Sequence, residues 1–306
     1  MTAASATTAL GNQRRPFFER IGKPIGLQCY TLGDEPKADI DATFARIAQI
    51  GYRDIEISEL YGRTPAQVKA AADRAGLTIS CIHLAVTTRQ LGGTGSLMLD
   101  SPSARIAEDL GALGVRAAVM PIALFPADMK PHPGEGMLAM IPRAFAEAGT
   151  DIWKRTAALL NERAAVLKPL GIAFGYHNHN LEFAPVGGTT GWDIIRNETD
   201  PGLVHFEVDI GWVAAAGLDP VAFLNRNRGR VRWLHMKDLK ADTAPNFALS
   251  MHPTEVGTGK QDWARILPAA HAAGVRHYYV EQEPPFTISR MEAAARSYAY
   301  LAGLRA

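Results

Sequence analysis

LVHFEVD, residues 203–209, alternates apolar and ionisable side chains. Successive side chains of a β-strand point to opposite faces, so Val204, Phe206 and Val208 share one face and His205, Glu207 and Asp209 the other. The apolar face suits a covering layer of helices. The ionisable face then looks into an interior, with Asp209 last and nearest the C-terminal end of the strand.

Seven more segments read as strands, each followed by a stretch of helical periodicity. They are IGLQC (25–29), DIEIS (54–58), TISCIH (78–83), VRAAVM (115–120), IAFGYHNH (172–179), VRWLHMKD (231–238) and HYYVEQE (277–283). Helices are expected near 39–50, 65–75, 102–113, 149–168, 190–197, 219–226, 262–273 and 288–302. Eight strand–helix units in 306 residues predict a (β/α)8 TIM barrel rather than a doubly wound sheet. The long connections 84–101 (with LGGTG), 120–148 and 239–261 all follow strands, where a barrel carries its active-site loops.

Alternation in the neighbouring strands repeats the pattern. Trp233, His235 and Lys237 share a face, as do Tyr279, Glu281 and Glu283, and as do Ala173, Gly175, His177 and His179, with Glu182 following at the loop start. Four neighbouring strands thus deliver ionisable groups to one rim. Unpaired charge in a packed interior costs several kcal/mol per ion, so Asp209, His235 and Glu281 need a shared partner. One divalent metal ion (Mn, Co, Mg or Zn), held by Glu182, Asp209, His235 and Glu281, supplies it. The competing arrangement is a self-satisfied salt-bridge layer built on Lys237 and nearby arginines.

Composition narrows the alternatives. The net charge is +1, with 47% hydrophobic and 21% charged residues. No basic stripe suits nucleic acid, and no apolar run approaches the roughly 20 residues that span a bilayer, so neither nucleic acid nor membrane is an expected partner. Cys29 and Cys81 lie in apolar strands and read as buried core residues.

Residues 1–22 read as an N-terminal arm, flexible or docked, ahead of a single catalytic domain at 23–306. Arg14 and Arg15 in NQRRPFFERIG (12–22) look like a twin-arginine export motif, but a strand, not an apolar stretch, follows. A cytoplasmic location is expected, with periplasmic export as the alternative.

Seven segments carry a resemblance: IGLQCYTL (25–32), IGYRDIEI (50–57), YHNHNLEF (176–183), VDIGW (208–212), HMKD (235–238), VGTGKQDW (256–263) and VEQE (280–283). In their order they resemble the sugar phosphate isomerase and epimerase families of the xylose isomerase-like barrel superfamily. That resemblance implies one divalent metal bound by a Glu, Asp, His, Glu set from strands five to eight, here Glu182, Asp209, His235 and Glu281. One departure stands out. Some epimerases place the first glutamate within strand five, where this chain has Tyr176 and His177, so either Glu182 folds back or a histidine enters the shell.

A metal-dependent sugar isomerase or epimerase is therefore expected, removing a proton beside a carbonyl to form an enediolate. The substrate is a small-molecule sugar or polyol. Glu281, His177, His179 and Glu283 are candidate bases, and Lys237 a candidate for neutralising the enediolate. Glu56, His83, Glu283 and Trp212 are candidate substrate contacts, and Asp238 could orient His235. A carbon–oxygen lyase on the same scaffold, of inosose dehydratase or keto-glycoside eliminase type, is the nearest rival, and a non-catalytic sugar-binding module the minor one. Barrels of this kind often self-associate, so a homo-oligomer is expected without a specific interface signal. GTGK (257–260) bends the chain into a helix capped near Asp262 instead of cradling phosphate.

Overall fold

The computed structural model describes residues 15–86 and 97–306. Eight parallel strands close a barrel: β1 (Gly26–Gln28), β2 (Asp54–Ile57), β3 (Thr78–His83), β4 (Ala117–Met120), β5 (Ala173–His177), β6 (Val204–Asp209), β7 (Val231–Met236) and β8 (His277–Val280). They follow chain order round the barrel, β8 pairing with β1. Helices cover the outside, and the apolar core lies between the two layers.

Inside the barrel, alternation divides the contents by height. Cys81, Ala117, Val119, Trp233 and Tyr279 form a separate apolar plug. Two glycines make room for it. A Cβ on Gly175 would stand 2.7 Å from the Trp233 ring, and one on Gly26 2.6 Å from that of Tyr279. Above the plug the register pairs His177 with Glu207, and His235 with both Asp209 and Tyr279. The ionisable residues therefore gather above the plug, near the C-terminal mouth, in two successive layers.

The helices begin where local capping permits. Thr64 and Gln67 form a reciprocal capping box ahead of Pro65–Ala75. Asp39, Thr190, Asp219, Asp262 and Ser289 each accept a backbone N–H at the start of their helices.

The long connection 120–148 departs from the loop expected there, since it contains a helix, Met137–Ala148, before the helix Asp151–Leu167. Pro142 argued against helix at that point. Ile141, Ala144 and Phe145 nevertheless bury one face, with Phe145 packed 5.0 Å from the Trp153 ring, and that burial outweighs the hydrogen bond lost at the proline.

The described part of the N-terminal arm packs against the barrel. Phe17–Ile21 is helical, and Phe17 and Phe18 are buried with their rings 6.4 and 5.5 Å from that of Tyr278. Arg14 and the LGGTG segment lie outside the described residues. Both cysteines are buried and free. Among the described residues no helix is long and apolar enough to cross a membrane.

GTGK finds its role in the connection after β7. Asp238 is fully buried, and its carboxylate accepts N–H groups from Leu239, Gly257, Gly259 and Gln261 and from the Trp263 indole, at 2.9 to 3.3 Å. It folds this loop around itself and is not a partner of His235. Trp263 is likewise committed to the core. Asp238→Ala would leave several buried donors unpaired, and an expected loss of about 3–5 kcal/mol should be measurable by chemical denaturation. A loss under about 1 kcal/mol would show that the loop is held by something else.

Candidate active site

A cavity of about 300 Å³ opens at the C-terminal mouth. Tyr30, His83, His179, Trp212, Glu281 and Glu283 are among its walls. At its floor His177, Asp209, His235 and Glu281 each bring one nitrogen or oxygen, all within 4.8 Å of one another. Asp209, His235 and Glu281 thus come together as the sequence predicts. The fourth member differs.

Glu182 stays outside the cluster. Its Oε1 accepts the Tyr176 hydroxyl at 2.5 Å and its Oε2 the backbone N–H of His179 at 3.0 Å. Burial pushes its carboxyl up to about 7, opposed by those two bonds. The asparagines of YHNHN are structural: Asn178 accepts the backbone N–H of Asp209, and Asn180 bonds to Asn246 and Leu249. His177 fills the place that alternation assigns to the end of β5.

Lys237 is fully buried over the cluster. Its ammonium lies 2.8 Å from Asp209, 2.9 Å from Glu281 and 2.7 Å from Glu283, and 5.1 Å above the Trp212 ring. Burial opposes its charge, but the three carboxylates raise its pKa well above the usual lysine value. The Lys237 salt bridges of the competing arrangement are thus present. Asp209 is engaged on both oxygens, Oδ2 by that ammonium and Oδ1 by the backbone N–H of Trp212 at 3.0 Å, so a cation here would share these carboxylates with Lys237.

A second layer lies beneath. His83 Nε2 stands 2.7 Å from Glu207 and 3.4 Å from Glu56, and these two acids hold its pKa up at about 10 against burial. His177, by contrast, is kept neutral by burial, which lowers it to about 3. His179 is pushed well below the ordinary histidine range by burial and by His177 and Lys237 beside it.

Sequence reasoning left out two residues of this constellation. Glu207 shares the inward face with Asp209 and needed only to be followed one step deeper. Gln28, whose amide donates to Glu56 at 2.8 Å, carried no such signal.

The set fits a divalent ion on its own chemistry. Two imidazole nitrogens and two carboxylate oxygens converge within 4.8 Å of one another, beside a cavity large enough for water and substrate.

A family model described as xylose isomerase-like TIM barrel matches residues 44–302. Among curated relatives, an inosose dehydratase of Lacticaseibacillus casei is 24% identical over 300 residues, covering 91% of this chain and 94% of that protein. Another, from Geobacillus kaustophilus (strain HTA426), is 24% identical over 66% of this chain, and the match spans 63% of its length. A solved sugar phosphate isomerase/epimerase from Parabacteroides distasonis ATCC 8503 superposes with a TM-score of 0.71 at 27% identity, over 92% of this chain and 94% of that one. The IolI protein, solved with a zinc atom, shares the fold with a TM-score of 0.61 at 14% identity, over 91% of this chain and 98% of that one.

Proposed function

From the premise that this chain belongs to the xylose isomerase-like TIM barrel family, we propose that it is a metal-dependent isomerase or epimerase of keto sugars or keto polyols. The observation that carries this is the convergence of His177, Asp209, His235 and Glu281 beside a cavity that Glu283 and His179 also line. Those four residues would hold one divalent ion. Two imidazoles among them favour Zn, Mn or Co over Mg, which prefers oxygen ligands. Bound there, the ion would supply Lewis-acid polarisation of a substrate carbonyl and its neighbouring hydroxyl.

The chain's own residues do the rest. Glu281 and His177, with atoms committed to the cluster, are poorer proton acceptors than Glu283 and His179, which line the cavity outside it. Glu283 takes the proton from the carbon beside the carbonyl and, as the carboxylic acid so formed, returns it to the adjacent carbon for isomerisation; for epimerisation the proton added to the opposite face is drawn from water in the open cavity. The Lys237 ammonium, next to Glu283, offsets negative charge developing on the substrate oxygen. Trp212, only 2% exposed, and Tyr30, half exposed, present rings to the substrate's apolar face. His83 closes the floor.

A lyase reading has its own support, since both curated relatives are named inosose dehydratase. Proton removal is shared, and expulsion of a hydroxyl one carbon further on replaces reprotonation. One experiment separates the two. The metal-loaded protein is incubated with keto-inositols and ketohexoses in D2O and followed by mass spectrometry. Deuterium uptake without loss of water supports the isomerase or epimerase, and loss of one water supports the lyase. No exchange and no product after loading with Zn, Mn and Co in turn would overturn both.

A further inference from the structure

Glu56 and Glu207 have no part in the chemistry just described, yet both are fully buried under the cluster. Two buried carboxylates are a heavy desolvation burden, and Oε1 of each has no hydrogen-bond partner. An interior that needed only filling would be better served by apolar side chains. Their partners indicate a different role.

An imidazole that binds a cation through one nitrogen carries its hydrogen on the other, and whichever group accepts that hydrogen decides the tautomer. His177 Nδ1 lies 3.1 Å from Glu207 Oε2, while its Nε2 is turned towards Asp209 Oδ2 at 3.9 Å. His235 is reversed. Its Nε2 lies 2.6 Å from Glu56 Oε2, and its Nδ1 faces the cluster, 2.8 Å from Glu281 Oε2 and 3.8 Å from Asp209 Oδ2. An ionised carboxylate only accepts.

Resting on the metal-site reading above, we infer that Glu207 and Glu56 are positioning residues that impose opposite tautomers on the two histidines. With an ion bound, Glu207 would hold His177 as Nδ1–H with Nε2 turned to the ion, and Glu56 would hold His235 as Nε2–H, so that its Nδ1, which here faces Glu281 Oε2 at 2.8 Å, is the nitrogen left for the ion. Each carboxylate is itself braced. Gln28 Nε2 donates to Glu56 at 2.8 Å, and His83 Nε2 stands 2.7 Å from Glu207. The sheet register supplies the alignment, since His177 and Glu207 are direct partners across β5 and β6.

The test uses the full chain labelled with 15N in histidine and loaded with zinc. Two-bond 1H–15N spectra should show His177 protonated on Nδ1 and His235 on Nε2. Glu207→Gln and Glu56→Gln should each weaken zinc binding roughly 10- to 100-fold in competition with a chromophoric chelator, read on the folded fraction at a temperature well below the melting temperature of each variant. The introduced amide can also donate, so the corresponding histidine should lose its single tautomer. A wild-type His177 carrying its proton on Nε2, or unchanged zinc affinity in both variants, overturns the inference and leaves the metal site standing. A wild-type chain that takes up no zinc overturns both. The tautomer spectrum of the wild type needs no variant, so a poorly folding substitution does not blunt the test.

Discussion

His177→Ala is expected to release the divalent ion on dialysis and to lower turnover at least about 100-fold, while Glu182→Gln retains the metal. Losing a partner that merely orients a ligand weakens metal binding roughly 10- to 100-fold, so losing an imidazole from a four-atom set should weaken it more. Turnover falls with it, because removal of a single group that stabilises developing charge commonly costs about 100-fold or more. Glu182 is engaged elsewhere, with the Tyr176 hydroxyl on one oxygen and the His179 N–H on the other. The check is metal content by inductively coupled plasma mass spectrometry on wild type and both variants. Metal retained in His177→Ala and lost in Glu182→Gln would mean that Glu182 swings into the site and His177 does not belong to it.

Lys237→Met should have a large effect on stability, and one that depends on metal. The buried ammonium stands within 2.9 Å of Asp209, Glu281 and Glu283. Removing one partner of a buried ion pair typically costs about 3–5 kcal/mol, because the opposite charge is left uncompensated. The metal-free variant should therefore melt well below metal-free wild type. An ion bound by Asp209 and Glu281 would replace part of the missing positive charge, so loading should raise the melting temperature of the variant more than that of the wild type. Equal increments in the two proteins would show that Lys237 and the ion do not share those carboxylates.

Much of the architecture was legible in order. Strands with a polar inner file, such as Val204–Asp209, announce themselves because side-chain period and burial coincide. The helix Met137–Ala148 was hidden, since Pro142 is a local signal against helix and the burial of Phe145 against Trp153 is a distant one in its favour. GTGK was legible as a bend but not as a wrapping for Asp238. Its glycine at 259 is required because a Cβ there would collide with the Asp238 carboxylate, which a linear reading does not bring near.

The same division runs through the site. By itself the sequence determined a (β/α)8 barrel and the delivery of Asp209, His235, Lys237 and Glu281 to one rim, because alternation along a strand is a local geometric rule. Only the tertiary structure put His177, and not Glu182, beside Asp209, His235 and Glu281, and only it joined Glu207 and Glu56 to the histidines above them. Those choices depend on register between strands and on which lone pairs are already engaged. Both are properties of contacts between residues far apart in the chain, for which no local pattern exists.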